Sequence, residues 1–223
     1  GVRSMTAPTR AVLLAVLATC ALTLAPAAVR ADNAAAATAG EAKAAVCTAC
    51  HGVNGNSVNP EWPNLAGQGS AYIKEQLKLF RAGHRNDLVM YPLAVALTDD
   101  DIRDLAAYYS RQTPAGLEAD PATVKAGEAL YRGGDRARNI PSCASCHGPR
   151  GLGMPTAGYP KLRGQHATYT VKALNDYAAE QRYVDVNSGE KTRSRNGHMM
   201  TSIAKRLTDE DKAALASYIQ GLR

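Results

Sequence analysis

The fold is decided by a five-residue segment that occurs twice, CTACH at residues 47–51 and CASCH at residues 143–147. Two cysteines separated by two residues, with a histidine directly after the second cysteine, are typical of c-type haem attachment. The two thiols add to the two vinyl groups of the haem, and the imidazole becomes the proximal iron ligand. The predicted haem-binding residues are the cysteines and histidines of both segments: Cys47, Cys50, His51, Cys143, Cys146 and His147.

Paired cysteines also occur in three other kinds of site. They form disulfides in exported proteins, bind zinc or act as redox-active C-x-x-C motifs. None of these requires a histidine after each second cysteine or a glycine after each histidine, as Gly52 and Gly148 provide here. The fifth cysteine, Cys20, lies in an N-terminal apolar run, so the two motifs use all the others. Because no cysteine outside the N-terminal run is left over, two haem sites are favoured over the other kinds of site.

The N-terminal region has the order of a secretory signal peptide. Two arginines precede an apolar run at residues 11–24, and small residues continue to Ala31. The sequence therefore predicts a signal peptide over residues 1–31, with cleavage after Ala27 as the alternative. The apolar run of about 14 residues is short for a membrane span, which needs about 20. A retained N-terminal anchor is the competing interpretation.

Charge is distributed unevenly along the rest of the chain. Residues 32–118 contain seven basic and ten acidic side chains, whereas residues 119–223 contain sixteen and ten. The net charges of these two parts are therefore −3 and +6. Their sum, +3, is too small to suggest nucleic acid as a partner. A dipolar protein can be steered toward different partners at its two ends. The alternative is a solvated surface without any code for partners.

The two motifs belong to a longer internal repeat. WPNLAGQ at residues 62–68 matches YPKLRGQ at residues 159–165 with an offset of 97. From Arg85 onward the match continues from Arg195 with an offset of 110, so the second copy has 13 extra residues after Gln181. We interpret the extra residues as a solvated loop, with a loop that docks a partner as the alternative.

The repeat predicts two tandem domains, at residues 32–113 and 122–223, joined by a linker at residues 114–121 that contains proline and glycine. Apolar residues at helical spacing predict three helices in each domain. In the first domain these lie at residues 41–46, 70–82 and 99–112. In the second domain they lie at residues 124–131 and 167–181 and after Thr208.

Two local signals support the terminal helices. Thr98 with Asp101, and Thr208 with Asp211, predict N-terminal caps. Gly40 and Gly127 predict close helix crossings, where a side chain would clash. The expected contacts of these glycines are the aromatic residues Tyr108 and Tyr218 of the last helices.

These residues together resemble a duplicated class I cytochrome c, and the resemblance is closest to the di-haem cytochrome c4 family. It covers essentially the whole chain after residue 31. The P-x-L-x-G-Q and M-x-x-x-A-x-x-L-T-D segments, each present twice, are much more specific than C-x-x-C-H. The resemblance implies an all-α fold of two tandem class I cytochrome c domains. Each domain would have about three core helices around a covalent haem c, two haems in total.

The resemblance also implies an electron carrier rather than an enzyme. Single electrons would pass in the periplasm from the quinol–cytochrome c reductase side of a respiratory chain to a terminal oxidase. A monomer is expected, and peripheral membrane association is left open. One alternative is a cytochrome subunit of a periplasmic dehydrogenase for sulfur compounds or alcohols. The other is a di-haem peroxidase, which requires one open iron site.

Methionine is the expected sixth iron ligand, because its soft thioether favours Fe(II) in cytochromes of His/Met type. Met90, 39 residues after His51, lies where the family's distal methionine loop is expected. In the second domain His198, Met199 and Met200 are adjacent. The offset of 110 favours Met200 as the ligand.

The resemblance further implies residues that support the haem. Pro63 and Pro160 would each supply the carbonyl that accepts a hydrogen bond from the proximal histidine. Trp62 and Tyr159, directly before these prolines, would line the haem or its propionates.

The remaining histidines, His84 and His166, are interpreted as exposed or helix-capping residues. Ligation of an iron by two histidines is the alternative, and it would leave Met90 without a role.

Overall fold

The structure, a computed structural model, describes residues 33–185, 187–192 and 194–223. The predicted signal peptide lies outside the described residues. The helices of the first half are α1 (33–43), α2 (Thr48–His51), α3 (Ser70–Arg81), α4 (Met90–Val95) and α5 (Asp99–Ser110). Those of the second half are α6 (Val124–Gly133), α7 (Ala144–His147), α8 (Ala167–Ala178), α9 (Arg195–Ala204) and α10 (Asp209–Gly221). Extended pairing within the described residues is limited to isolated bridges. None of the helices in these ranges has both the length and the apolar character that a membrane span requires.

Helices were predicted in the right places, with differences at their ends. The first helix occupies residues 33–43, ahead of the predicted 41–46, where a 3-10 turn follows at Ala44–Val46. Helix α8 ends at Ala178 rather than at residue 181, because Glu180 has a positive φ of 56°. Helices α4 and α9 were not predicted. Both are short and carry a helix-weakening residue, Pro92 in α4 and Gly197 in α9.

The first and last helices of each domain cross at a glycine, as predicted. A Cβ added at Gly40 would lie 2.1 Å from the Asp104 carbonyl oxygen and 2.8 Å from Cβ of Tyr108. A Cβ added at Gly127 would lie 2.0 Å from the Ala214 carbonyl oxygen, and Cβ of Tyr218 would again be 2.8 Å away. The backbones therefore meet at distances that only glycine permits. Each crossing orders the core of its own domain.

Both predicted caps are confirmed at the starts of the last helices. Thr98 accepts a hydrogen bond from the Asp101 amide at 3.1 Å, and the Asp101 carboxylate accepts one from the Thr98 amide at 2.9 Å. Thr208 and Asp211 form the same reciprocal pair at the same distances. Each cap satisfies two amide groups that a helix start leaves unpaired.

The repeated segments at residues 62–68 and 159–165 face each other across the domain interface. The Gln68 side chain donates to the Lys161 carbonyl oxygen and accepts from the Lys161 amide, both at 2.9 Å. The Gln165 side chain makes the corresponding pair with the backbone of Asn64, at 2.9 and 2.8 Å. Each domain thus binds the backbone of the other through the same glutamine of the repeat.

The alignment of the repeat was wrong around the extra residues of the second domain. Arg85 and Arg182 form an antiparallel bridge, flanked by a 2.9 Å hydrogen bond from the Asn86 amide to the Gln181 carbonyl. Arg182, at an offset of 97, is therefore the structural counterpart of Arg85, not Arg195. The extra residues begin after Arg182, and the first of them, Tyr183, is only 2% exposed. At this end the segment packs against the other domain instead of being solvated.

Candidate functional site

The predicted proximal histidines lie at the ends of two matching short helices, α2 and α7. His51 and His147 are both buried. In each, Nδ1 lies 2.9 Å from a proline carbonyl oxygen, that of Pro63 and of Pro160. Because a carbonyl oxygen only accepts hydrogen bonds, Nδ1 carries the ring proton. The lone pair of Nε2 is therefore available to a metal ion.

The surroundings of these two rings keep them neutral. Burial lowers the pKa of His51 and of His147, and the hydrogen bond to the proline carbonyl offsets only part of that effect. The neutral imidazole is the form that binds iron. Both domains therefore present a fixed, neutral ring in the same orientation relative to its backbone.

The four cysteines of the two motifs are free and half-buried. In each motif the cysteines are three residues apart, which places them on one side of the short helix. Burial raises the pKa of Cys47, and it raises the pKa of Cys143 to about 11. Both thiols therefore lie in apolar surroundings.

In the first domain, the surroundings of the motif and of Met90 fit a large, mostly apolar cofactor. The Tyr109 hydroxyl, close to Cys47, is buried without a hydrogen-bond partner among the described residues. Around the predicted distal ligand Met90, five large apolar side chains are exposed: Leu88, Val89, Tyr91, Leu93 and Val95. A haem beside Met90 would shield apolar surface of this kind from water.

The distal regions occupy equivalent places in the two domains. Met90 begins α4, and its amide donates to the Asp87 carboxylate at 2.9 Å. Four residues after each predicted ligand, Ala94 and Ala204 are both fully buried. This equivalence supports the offset of 110 and hence the pairing of Met90 with Met200.

Two contacts in α9 distinguish His198 from Met200, two of the three adjacent candidates of the second domain. His198 Nε2 lies 2.6 Å from the Thr192 carbonyl oxygen, so this ring is already engaged with its own loop. Met200 packs against the buried cluster of Tyr177, Tyr183 and Ala204. The contacts favour Met200 over His198.

The other predicted site residues have different surroundings. The Tyr159 ring lies 6.1 Å from the His147 ring, between centroids, whereas Trp62 is 37% exposed. His166 is the N-cap residue of α8, as one of the two predicted alternatives had it, although its side chain makes no cap hydrogen bond. It is buried rather than exposed, and its Nε2 lies 2.9 Å from the Ser57 carbonyl oxygen of the other domain. The half-buried His84 faces the Asp185 carboxylate at 3.5 Å.

A group of buried polar residues at the domain interface was not predicted from the sequence. Arg85, Arg182 and Gln76 converge there, and Tyr72 and Tyr169 bind the two arginines. No motif contains these residues. One signal in the sequence could have indicated them: Arg85 also aligns with Arg182, at the offset of 97 that relates the preceding segments.

The comparisons with known proteins decide the family. The Cytochrome c family profile matches residues 37–111 and 124–223. Over 186 residues the chain is 47% identical to cytochrome c4 of Pseudomonas aeruginosa. The alignment covers 83% of this chain and 88% of that relative. The chain belongs to the cytochrome c4 family. It therefore carries two covalently bound haem c groups and is an electron carrier rather than an enzyme.

Solved structures and a further relative agree with this membership. The crystal structure of reduced recombinant cytochrome c4 from Pseudomonas stutzeri superposes with a TM-score of 0.76 at 44% identity, covering 84% of this chain and 98% of that one. The chain is also 35% identical over 185 residues to a thiosulfate dehydrogenase electron acceptor of Thiomonas intermedia, which covers 79% of this chain and 78% of that relative. The all-α fold with two cytochrome c domains is thus confirmed.

Proposed function

We propose that each domain of this cytochrome c4 family member holds one haem through the residues predicted from the repeat. In the domain at residues 32–113 these are Cys47, Cys50, His51 and Met90. In the domain at residues 122–223 they are Cys143, Cys146, His147 and Met200. The bound haem supplies a reversible one-electron change at iron. If a histidine and a methionine of each domain hold the iron, neither iron would keep an open position for a substrate.

The chain's own residues prepare both sites for this change. The proline carbonyls fix the orientation and protonation of the proximal rings at 2.9 Å. Burial of those rings excludes water and keeps them neutral. Little has to rearrange when the charge of the iron changes, which is the property that an electron carrier needs.

We further propose that the protein works in the periplasm, between a quinol–cytochrome c reductase and a terminal oxidase. The observation that carries this role is the reciprocal contact between the two proline segments, through Gln68 and Gln165. It holds the two haem-binding loops face to face, so that one domain can receive an electron and the other can deliver it. The net charges of −3 and +6 would then orient the protein between two partners.

Stopped-flow oxidation of the reduced holoprotein by membranes that contain the oxidase tests this role across a salt series. Arg136→Glu and Arg195→Glu change exposed charges of the basic half, and Arg111→Glu is the matched control in the acidic half. We expect the first two variants to slow association more than the control does. We also expect the rate to fall with ionic strength, because steering is screened over about 8–10 Å at physiological salt.

A second candidate function has specific support. The relative from Thiomonas intermedia is a thiosulfate dehydrogenase electron acceptor, at 35% identity. This chain would then accept electrons from a sulfur-compound dehydrogenase. Reduction of the holoprotein by such an enzyme with thiosulfate, together with no electron exchange with any oxidase, would replace the first role with this one. In the stopped-flow test, an oxidation rate that changes neither with salt nor in the three Arg→Glu variants would refute electrostatic steering, but it would leave the electron-carrier function standing.

A further inference from the structure

Two arginines, one from each domain, are buried together at the domain interface. Arg85 is 7% exposed and Arg182 is 2% exposed. They belong to the antiparallel bridge that joins the end of α3 to the segment after α8. Two like charges in one dry interface destabilise it unless an anion compensates them.

The two arginines are related by the repeat. Arg85 donates to the Tyr169 hydroxyl and Arg182 donates to the Tyr72 hydroxyl, both at 2.9 Å and both across the interface. Each guanidinium also stacks on a ring of its own domain. Arg85 lies 4.3 Å from the centroid of Phe80, and Arg182 lies 4.1 Å from that of Tyr177. Tyr72 and Tyr169 are 97 residues apart, and so are Phe80 and Tyr177. The arrangement around the two arginines therefore follows the internal repeat.

Among the described residues, no anionic side chain accepts a hydrogen bond from either guanidinium. Every side-chain acceptor that these guanidiniums reach among the described residues is neutral. Gln76 Oε1 accepts from Arg85 at 3.0 Å and from Arg182 at 2.7 Å, and the tyrosine hydroxyls are the others. Arg182 Nε is buried with no partner in the described part of the chain. A fully buried guanidinium with a free N–H is prepared for an anion.

The electrostatics of the neighbouring groups agree with a cationic site. Burial alone would raise the pKa of Tyr169, but the charges of Arg85 and Arg182 lower it below its ordinary value. The nearby Glu75 carboxylate accepts a hydrogen bond from the Tyr183 hydroxyl at 3.4 Å and none from either guanidinium. Burial raises the pKa of Glu75, although the charge of Arg182 opposes that effect.

The site lies between the two predicted haem environments. Arg85 precedes Asp87 by two residues, and the Asp87 carboxylate holds the amide of Met90. On the other side, Met200 packs against Tyr177 and Tyr183, and the Tyr177 ring also stacks on Arg182. An anion bound here would therefore be close to both haem-binding regions.

We propose that Arg85 and Arg182 form one shared site that binds propionate carboxylates of both haems. The inference rests on the proposed two-haem carrier function and adds residues to it. Carboxylates match the planar, two-pronged donor geometry of arginine. A positive charge near a haem also favours the less positive Fe(II) state. The two arginines therefore position the propionates, and each raises the redox potentials of both haems.

Potentiometric titration of the purified two-haem protein tests the proposal. Arg85→Gln and Arg182→Gln should each shift both midpoint potentials downward. The controls Arg111→Gln and Arg136→Gln remove one exposed charge from each half and should shift neither by a comparable amount. Arg85→Lys and Arg182→Lys keep the charge, so their potentials should remain close to those of the unmodified protein.

Resonance Raman spectroscopy provides a direct second measurement. The propionate bending band should shift in the Lys variants as well as in the Gln variants, because lysine cannot reproduce the two-pronged hydrogen bond. If the Gln variants do not fold, the propionate band of the Lys variants tests whether the arginines bind the propionates. A protein with two haems and normal absorption bands, but with an unchanged propionate band or with only one potential shifted, overturns the shared site alone. Loss of a haem from the unmodified protein would instead overturn the proposed function.

Discussion

The two domains share one helix crossing but stabilise it with different chemistry. Beside Gly40 in the N-terminal domain, Lys43 reaches Asp104 at 2.7 Å and Asp101 at 2.8 Å. In the C-terminal domain the residues equivalent to Lys43 and Asp104 are Leu130 and Ala214, and Leu130 lies in the apolar core. The glycine that sets the backbone distance is common to both domains. Geometry is therefore the duplicated property, and the side chains around it are free to be charged or apolar.

The domains also differ in how their distal regions are covered. Tyr91 and Leu93 in the N-terminal domain are 49% and 47% exposed, whereas Thr201, the equivalent of Tyr91, is buried. A Cβ added at Gly197 would lie 2.3 Å from the ring of Tyr183, so the extra residues of the second domain press directly on α9. The insertion thus encloses the C-terminal distal region and has no counterpart in the N-terminal one.

The largest expected effect concerns the sixth ligands. Met90→Ala and Met200→Ala should each open one iron, lower one redox potential and halve the near-infrared sulfur-to-iron band, because each removes one thioether. Near-infrared absorption and potentiometry measure the result. Met199→Ala is the control and should leave the band intact. If Met199→Ala removes half of the band and Met200→Ala does not, the offset of 110 is wrong at this loop.

The next effect tests whether both crossings depend equally on glycine. Gly40→Ala and Gly127→Ala should each destabilise the fold by about 3 kcal/mol, because the new Cβ would overlap backbone atoms of the last helix. Chemical denaturation followed by circular dichroism gives the free energy of unfolding. Gly133→Ala, where a Cβ meets nothing within 4 Å, should change it by less than about 1 kcal/mol. A tolerated substitution at only one crossing would break the equivalence of the domains.

The charged crossing can be converted into the apolar one. Asp104→Ala should cost about 2 kcal/mol, because it removes the buried partner of Lys43. Lys43→Leu combined with Asp104→Ala copies the residues of the C-terminal domain and should recover at least half of that loss. A double variant no more stable than Asp104→Ala would show that the apolar pair needs other residues of its own domain.

The same ion pair gives the N-terminal domain its own pH dependence. The hydrogen bond from Lys43 is the largest of the effects that hold the pKa of Asp104 below its ordinary value, although burial opposes it. A lowered folded-state pKa contributes stability above the unfolded pKa of about 3.9 and loses it as the pH falls through the folded value. Unfolding measured between about pH 5 and pH 2 should therefore show a smaller acid-dependent loss in the double variant than in the unmodified protein.

The smallest effect concerns the two helix caps. Thr98→Ala and Thr208→Ala should each cost about 1 kcal/mol, since each removes the acceptor for one amide at the helix start. The two losses should be equal within error and additive in the double variant, because the caps are in separate domains. Thr98→Ser and Thr208→Ser keep the hydroxyl and should be close to neutral. Clearly unequal losses in Thr98→Ala and Thr208→Ala would show that the two domains differ in their local unfolding.

The sequence by itself determined the features that depend on a few neighbouring residues. C-x-x-C-H places two thiols and an imidazole on one helical turn, and the caps at Thr98 and Thr208 need only the aspartate three residues later. The crossing glycines were also predictable, because a glycine among helix-forming residues signals a close approach. Spacing along the chain directly sets these geometries, so the repeat identified them twice.

Only the tertiary structure decided what happens between the domains. The partner of a buried polar group there is supplied by a residue roughly 100 positions away, and no local pattern records it. Arg182 was therefore assigned to the insertion, and the contacts of His166 and Gln76 across the interface were not predicted. The physical reason is that burial makes hydrogen bonding obligatory, while the choice of partner depends on how the two surfaces meet.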